Sequence, residues 1–343
     1  MSSFLYRKEW IALNESVGGN AEEIKPVANG ALIETVGLKK YFFNKGGTVH
    51  AVDDVNLSIN AGETLGVVGE SGCGKSTLGR TIVRLLKPTG GEVLLNGQNI
   101  SSLKGKEFKE MQTNVQMIFQ DPYSSLNPRM SVSQIIADPL RVQKSLKSRK
   151  EQADKVLRTM DACGLPPRYF NTYPHEMDGG RRQRVGLARA LVVDPKFIVC
   201  DEPVSALDVF IQAQILNQLM DLQDQKGLAY MFITHDLCVV RHISNNIMVM
   251  YLGEVVEYAP KEEIFRHQAH PYTQALLSAI PSTDLSRRNR EKKILKGEVS
   301  NPISPPPGCR FLPRCQYAEE KCKEPQLLRE VAPNHFAACF KSA

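Results

Sequence analysis

The chain has 343 residues, of which 43 are Lys or Arg and 37 are Asp or Glu, so its net charge is +6. This charge is too weak to argue by itself for nucleic-acid binding, and no apolar run reaches the roughly 18 residues of a membrane-spanning helix. We therefore expect a cytoplasmic protein with one core domain and additions.

The predicted elements begin after residues 1–30, a polar and aperiodic stretch that we interpret as a loosely held arm. Strand-like runs follow at 32–36, 49–52, 55–59 and 64–68, and the last is apolar throughout, as in buried parallel strands. A Gly-rich loop leads into a predicted helix at 76–86. Residues 92–97 then predict a hairpin strand that ends in an Asn-Gly turn.

The second half of the core alternates strands with helices. Residues 121–193 are predicted to be mostly helical, and buried strands at 197–200 and 230–233 flank a helical pattern at 209–225. This alternation predicts an α/β fold, with a mainly parallel sheet and helices on both faces. The charged, Pro-rich stretch at 282–308 predicts a linker to a small cysteine-bearing tail.

The strongest motif is GESGCGKS at 69–76, which matches G-x-x-x-x-G-K-[ST] between a strand and a helix. Its glycines let backbone N–H groups converge on phosphate oxygens, and the helix start adds its positive end. Lys75 then carries a full charge to the β- and γ-phosphates, and the Ser76 hydroxyl binds Mg²⁺. We assign phosphate binding to Gly69, Ser71, Gly72, Cys73, Gly74, Lys75, Ser76 and Thr77.

A second motif, FIVCDE at 197–202, ends a buried strand in two carboxylates. The strand delivers Asp201 to the carboxyl edge of the sheet beside the Gly-rich loop, where it can hold Mg²⁺ through water. Glu202 can accept a proton from the attacking water as general base.

With four further features, these motifs resemble the ATP-binding subunits of ABC transporters over residues 31–265. The resemblance implies a P-loop core with an antiparallel β subdomain and a helical subdomain at about 121–193. It also implies a Q-loop glutamine at the Mg²⁺ and the lytic water, a D-loop, a switch histidine at the γ-phosphate and an aromatic residue on adenine. The matching positions are Gln120, residues 205–208 (SALD), His235, and Phe42 or its neighbour Tyr41.

The signature segment departs from this family. Residues 177–181 read MDGGR where the family has LSGGQ, and in the family each signature closes over the partner subunit's P-loop. Gly179, Gly180 and the helix start are retained, and Asp178 can still cap the helix. A carboxylate about 4 Å from a phosphate charge costs roughly 4 kcal/mol at an effective dielectric of 20, and losing one transition-state donor costs about 10²–10³ in rate. We predict that the site using this signature hydrolyses ATP poorly, although Arg181 could offset part of the repulsion.

Three segments are similar to the oligopeptide and dipeptide importer branch: 121–130 (DPYSSLNPRM), 270–273 (HPYT) and 305–315 (PPPGCRFLPRC). The resemblance implies a C-terminal extension over 266–343 and an ATPase at the cytoplasmic face of the membrane. Its implied partners are a second, different ATPase chain, two integral membrane permeases and an extracytoplasmic binding protein. An importer of another solute of the branch, such as nickel, is the alternative.

Four of the eight cysteines crowd the tail with the spacing C-x5-C-x6-C-x16-C, which is wider than that of zinc knuckles. Four such thiolates can hold a [4Fe–4S] cluster, which members of this branch carry in this region. Zinc and no metal are the alternatives. The proposed ligands are Cys309, Cys315, Cys322 and Cys339.

Two rival classes fit less well. A nucleic-acid ATPase of this kind carries two cores or long coiled coils, and the basic run at 287–293 has no aromatic platform beside it, so we predict no nucleic-acid partner. An inactive structural adaptor is disfavoured because Glu202 and His235 are both present.

Overall fold

The computed structural model describes residues 30–143, 148–205, 207–280 and 302–342. Residues 1–29 of the predicted arm at 1–30, Ala206 of the D-loop and the basic run at 287–293 lie outside the described residues. The described strands are β1 (Ile33–Asn44), β2 (Gly47–Ile59), β3 (Thr64–Val68), β4 (Gly90–Leu95), β5 (Gln98–Asn99), β6 (Val115–Ile118), β7 (Phe197–Asp201), β8 (Ala229–Ile233), β9 (Asn246–Tyr251), β10 (Glu254–Pro260), β11 (Arg329–Ala332) and β12 (His335–Ala337). The described helices are α1 (Lys75–Ile82), α2 (Gly105–Asn114), α3 (Pro122–Ser125), α4 (Val132–Gln143), α5 (Arg149–Ala162), α6 (Gly179–Leu191), α7 (Val209–Lys226), α8 (Leu237–Ile243), α9 (Lys261–Arg266) and α10 (Pro271–Ser278).

The smaller sheet is antiparallel and has the order β2-β1-β4-β5. Residues 49–52 and 55–59, which the sequence separates, belong to one strand, whose pairing with β1 shifts in register between Val52 and Val55, where Asp54 has a positive φ of 55°. Asn96 and Gly97 both have positive φ, 50° and 75°, as a two-residue turn that follows the strand twist requires. The predicted hairpin is therefore confirmed.

The larger sheet carries the nucleotide motifs. Its order is β11-β12-β10-β9-β3-β8-β7-β6, and the pairs from β9 to β6 are parallel. Every residue of β3, β7 and β8 is buried, because helices and the smaller sheet cover both faces. Two apolar clusters lie on the two sides of these strands, one with the smaller sheet and α1 and the other with α4 to α7. The predicted α/β fold is confirmed.

The C-terminal segment, defined here as residues 302–342, joins the same sheet. β12 pairs with β10 through Glu257 and Ala337, and β11 pairs with β12. At the other end of the segment, Ile303 forms an antiparallel bridge with Val49 of β2. The tail is therefore hydrogen-bonded to both sheets. The domain boundaries given by the sequence stay a prediction.

Residues 122–191 contain α3 to α6, in agreement with the predicted helical region. The first helix after the Gly-rich loop is shorter than the 76–86 expected, because the chain turns at Arg84, whose φ is 62°. In the described part of the chain, none of the helices combines the length and apolar character needed to span a bilayer.

Candidate nucleotide site

The Gly-rich loop links the end of β3 to the start of α1. Gly69 and Gly74 have φ of 151° and 105°, in the region that favours glycine. A Cβ on Gly69 would lie 2.3 Å from the Met250 carbonyl oxygen, and a Cβ on Gly74 would lie 2.0 Å from that of Ala51. Other residues would push the loop away from these backbones. No side chain caps α1, so its first N–H groups and positive end face the loop.

Lys75 lies inside the loop that precedes it. Its side chain is buried, and its ammonium donates to the carbonyl oxygens of Gly69 at 2.7 Å and Glu70 at 2.9 Å. The Cys73 sulfur lies 3.7 Å from the same nitrogen. The positive charge is thus fixed within a ring of backbone groups that includes two carbonyl oxygens, and the N–H groups of such a loop are the donors that bind anions.

Asp201 ends β7 and is fully buried. The Ser76 hydroxyl donates to its Oδ1 at 2.6 Å, and Arg80 Nη2 lies 3.4 Å from its Oδ2. Burial raises the pKa of the Asp201 carboxyl, whereas the hydrogen bond from Ser76 and the charge of Arg80 lower it. These donors fit Mg²⁺, because hydroxyl and carboxylate oxygens are the hard ligands that this ion prefers. The amide oxygen of Gln120 is a third oxygen of that kind.

Glu202 lies between Gln120 and His235, the Q-loop glutamine and the switch histidine that the family resemblance predicts. Its Oε2 accepts from Gln120 Nε2 at 2.9 Å, and its Oε1 lies 3.3 Å from His235 Nδ1. Glu202 has a positive φ of 46°, and its N–H donates to the Ile233 carbonyl oxygen at 2.9 Å. This strained backbone aims the carboxylate out of the sheet edge. The structure therefore brings Gln120, Glu202 and His235 together at the mouth of the loop.

A cavity of about 200 Å³ opens beside these groups. Gln120 and Glu202 line it together with most of the residues assigned to the loop: Ser71, Gly72, Gly74, Lys75, Ser76 and Thr77. Gly69 and Cys73 lie behind this lining, as the base of the loop. Sequence reasoning missed the opposite wall, which consists of Val49, His50, Ala51, Leu252, Gly253 and Pro302. No local motif marks these positions, because they come from three distant segments that long-range backbone bonds join: the Asp53 N–H donates to Gly253 at 2.9 Å and the His50 N–H to Pro302 at 3.3 Å.

The aromatic residues proposed for adenine stacking lie on β1. Phe42 pairs with Val49 and is 37% exposed, but it does not line the cavity. Tyr41 stacks on His50 with ring centroids 4.1 Å apart, and its hydroxyl donates to Asp53. His50 does line the cavity, so Tyr41 supports its wall from behind. The adenine-stacking role of Phe42 stays a prediction.

The signature residues lie at the start of α6, away from the chain's own cavity. Asp178 caps the helix, since its Oδ1 accepts from the Arg181 N–H at 2.8 Å. Its Oδ2 also lies 2.8 Å from Arg181 Nη1. Gly179 and Gly180 are the first residues of the helix. The carboxylate is therefore occupied by its own helix and by Arg181, which offsets the charge that a phosphate would meet.

The four tail cysteines line one small cavity of about 20 Å³ together with apolar and aromatic side chains. All four are free thiols. Over 30–143, 148–205, 207–280 and 302–342, no three His, Cys, Asp or Glu side chains are grouped so that they could hold a metal ion. The predicted iron–sulfur cluster is therefore wrong, and zinc finds no support.

Two protein families each match a different part of the chain. A family described as "ABC transporter" matches residues 52–205. A second, described as "Oligopeptide/dipeptide transporter, C-terminal region", matches residues 256–322.

Curated relatives cover nearly the whole chain. The oligopeptide transport ATP-binding protein AppF of Bacillus subtilis is 49% identical over 90% of this chain and 96% of its own length. The oligopeptide transport ATP-binding protein OppF of Salmonella typhimurium is 48% identical over 88% of this chain and 91% of its own.

Solved structures match the core. The ATP-binding cassette MJ0796, in a dimeric post-hydrolysis state bound to ADP and Pi, has a TM-score of 0.62 and 29% identity over 67% of this chain and 98% of its own. The cbiO1 protein of Clostridium perfringens, part of the ABC transporter complex cbiONQ, has the same TM-score and 26% identity over 70% of this chain and 92% of its own.

Proposed function

The chain belongs to the ABC transporter ATP-binding proteins, as its identity to curated relatives over nine-tenths of its length shows, and we propose that it energises the import of oligopeptides across a membrane. Membership confirms the predicted ABC resemblance and the predicted ATPase activity. The peptide substrate is supported by the match of residues 256–322 to an oligopeptide and dipeptide transporter region and by the names of the relatives. A nickel importer and a nucleic-acid ATPase are not favoured by these relatives.

The observation that carries the proposal is the convergence of Lys75, Asp201 and Glu202 at one sheet edge. Lys75 and the loop N–H groups bind the phosphates of ATP, which is the substrate. Ser76, Asp201 and Gln120 are the residues that would hold Mg²⁺, which supplies charge neutralisation at the phosphates when bound.

Glu202 acts on the attacking water. Its carboxylate accepts the water proton as general base, while Gln120 and His235 hold the two carboxylate oxygens in place. The imidazole of His235 is 62% exposed and contacts Glu202, which lines the cavity, so it can turn from Glu202 to the γ-phosphate when the nucleotide binds. Hydrolysis is therefore tied to small movements of Gln120 and His235.

We place the chain at the cytoplasmic face of the membrane as one of two ATPase subunits. Its proposed partners are a different ATPase chain, two permeases and an extracytoplasmic binding protein. The solved dimeric state of MJ0796 supports pairing of two cassettes. The modified signature at Asp178 supports a partner with a different signature, because two copies of this chain would both lack the serine.

Reconstitution tests this function. The chain is assembled with the permeases, the second ATPase and the binding protein in lipid vesicles, and ATP hydrolysis and peptide uptake are followed together. Peptide-loaded binding protein should stimulate both more than unloaded binding protein. Stimulation by a nickel complex and not by peptides would contradict the peptide assignment while leaving the ATPase intact.

A further inference from the structure

The C-terminal segment holds the phosphate-binding loop by an ion pair. Arg314 Nη1 lies 2.6 Å from Glu70 Oε2, and Arg314 Nη2 lies 3.0 Å from Glu70 Oε1. Glu70 is the second residue of the loop, directly after Gly69. Two parallel N–H···O bonds between a guanidinium and a carboxylate form the strongest geometry for such a pair. The Arg314 side chain is 5% exposed and that of Glu70 is 24% exposed, so the contact is partly shielded from water.

The same loop residue is also held through its backbone. The N–H of Glu70 donates to the Tyr272 hydroxyl at 2.7 Å, and Tyr272 is fully buried on α10. Tyr272 packs against Phe311, with ring centroids 5.4 Å apart, and Phe311 also contacts Tyr251. The Tyr251 hydroxyl accepts a longer bond, 3.4 Å, from Arg314. Arg314 is thus fixed by an aromatic cluster and has little freedom to leave Glu70.

A second arginine anchors the segment next to the cavity. Arg310 Nη2 lies 3.0 Å from Glu254 Oε1 and also pairs with Asp53, and Nη1 donates to the Leu252 carbonyl oxygen. Leu252 itself lines the nucleotide cavity. The segment therefore approaches the cavity from two directions, through Arg310 at the wall and through Arg314 at the loop.

Glu70 connects these contacts to the phosphates. Its carbonyl oxygen accepts from the Lys75 ammonium at 2.9 Å, so the Glu70 peptide is part of the ring around that charge. Its carboxylate brings a negative charge to a loop that must receive the negative charge of ATP. Arg314 neutralises this carboxylate, and the bidentate bond fixes its direction.

We infer that Arg314 is a positioning residue for the ATPase reaction: it holds Glu70 so that the loop is kept neutral and shaped for phosphate. This inference rests on the proposed role of the loop and Lys75 in nucleotide binding. It gives the C-terminal segment a direct part in ATP binding, although Arg314 lies more than fifty residues after the end of β10 at Pro260. Arg314 itself does not touch the nucleotide cavity.

The test compares Arg314→Gln, Arg314→Lys, Glu70→Gln and the double variant Glu70→Gln with Arg314→Gln. Lys341→Gln is the control, because Lys341 pairs with Glu319 within the same segment and away from the loop. ATPase assays of the assembled transporter separate KM for MgATP from kcat. Titration of the purified full-length chain with a fluorescent ATP analogue gives Kd.

Arg314→Gln should raise KM and Kd about 10-fold to 100-fold, because it leaves the Glu70 carboxylate unpaired in the phosphate-binding loop, and kcat should change less. Arg314→Lys keeps the charge without the bidentate geometry, so its KM and Kd should lie between those of the wild type and those of Arg314→Gln. The Lys variant also tests the inference if Arg314→Gln does not fold. The Kd of the double variant for ATP should lie within about threefold of that of Glu70→Gln alone. Once the Glu70 carboxylate is gone, Arg314 has no charge to neutralise, so its removal should add little. Lys341→Gln should match the wild type.

The inference is overturned if both Arg314 variants bind nucleotide like Lys341→Gln. It is also overturned if the double variant is as weak as Arg314→Gln, since that marks a purely structural role. Lys75→Ala, measured alongside, must lose nucleotide binding. Should Lys75→Ala bind like the wild type, the proposed role of the loop fails, and not the Arg314 inference alone.

Discussion

The Ser76 hydroxyl lies 2.6 Å from the Asp201 carboxylate, although 125 residues separate them in the chain. Ser76 is in the first turn of α1, and Asp201 ends β7. The contact therefore joins the loop that binds phosphate to the strand that delivers the acids. Because both side chains offer oxygen atoms to one point, this pair fixes where a magnesium ion would sit beside the phosphates.

Replacing Asp201 with Asn should weaken the response of the ATPase to Mg²⁺. The amide keeps an oxygen and its size but loses the charge, so the Mg²⁺ concentration for half-maximal activity should rise at least tenfold. An ATPase titration with Mg²⁺ at fixed ATP measures this. Asp194→Asn is the control, because Asp194 pairs with Lys226 at 3.1 Å and does not line the nucleotide cavity. An unchanged titration in Asp201→Asn would remove Asp201 from the metal site.

Replacing Glu202 with Gln should separate ATP binding from hydrolysis. The amide cannot take the water proton, so ATP turnover should fall by about 10²–10³ while nucleotide affinity stays within a few-fold. Single-turnover hydrolysis and nucleotide titration of the same preparation give the two numbers. An equal loss of affinity and turnover would mean that Glu202 shapes the site and does not act on water.

The signature at Asp178 should make the two sites of the ATPase pair unequal. Glu202→Gln in this chain and the matching change in the partner chain should reduce total ATPase to different extents. We expect the larger loss from Glu202→Gln, because the site built on Lys75 and Glu202 uses the partner's signature. Equal losses from the two changes would contradict the asymmetry.

Asp178→Ser provides the complementary measurement. Serine still caps α6 and restores a hydroxyl donor, so the weak site should gain activity. This substitution also removes the carboxylate that lies 2.8 Å from Arg181 Nη1. The gain in ATPase activity is smaller if the released Arg181 side chain then binds the phosphate. Asp178→Asn, which removes the charge and adds no hydroxyl, separates the two effects. A loss of ATPase in Asp178→Ser would show that the carboxylate is needed there.

The residues that could be predicted from the sequence are those that lie in continuous motifs. The loop at 69–76 and the acids at 201–202 follow short buried strands, and the carboxyl ends of parallel strands meet at one edge. That rule alone places Lys75 beside Asp201. Gln120 and His235 could be placed only by resemblance to a family.

The parts that could not be predicted depend on long-range pairing. Arg314 and Glu70 are 244 residues apart, and neither position has a pattern that points to the other. The tail strand at His335–Ala337 is three residues long, too short to give a periodic signal, and it is stabilised by pairing with β10. The cysteine spacing misled the prediction of a metal site, because spacing along the chain does not say whether the side chains come together, and in the described residues no three potential ligands are grouped to hold a metal ion.

His270 should make folding stability fall in acid. Burial lowers its pKa to about 4, whereas a histidine in the unfolded chain titrates near 6.5. Between these values the unfolded chain binds more protons, so the free energy of unfolding decreases as pH falls from 6.5 to 4, by up to about 3 kcal/mol. Below pH 4 His270 is protonated in both states, so its effect on the free energy of unfolding has reached its full size and does not grow further. Thermal unfolding of the wild type from pH 7.5 to 4 measures the trend.

His270→Asn is the matched variant. Its amide oxygen can still cap α10, as His270 Nδ1 does by accepting from the Tyr272 N–H at 3.1 Å, but it does not titrate. Its melting temperature should therefore fall less between pH 6.5 and 4. Glu254 affects stability in the opposite direction, because burial raises its pKa to about 7 and its carboxyl therefore binds protons more readily in the folded state. This effect is the same in the wild type and in His270→Asn, so it cancels in the comparison. Parallel curves for the two proteins would exclude His270 as the source.

The nucleotide site depends most directly on the ammonium of Lys75 within its ring of backbone groups. The decisive measurement is the affinity for MgATP, together with ATP turnover by the assembled transporter, for Lys75→Ala against the wild type. Both should fall by at least about 10², because no other described side chain brings a positive charge to the centre of the loop. Wild-type affinity and turnover in Lys75→Ala would contradict the assignment of this loop as the phosphate-binding site.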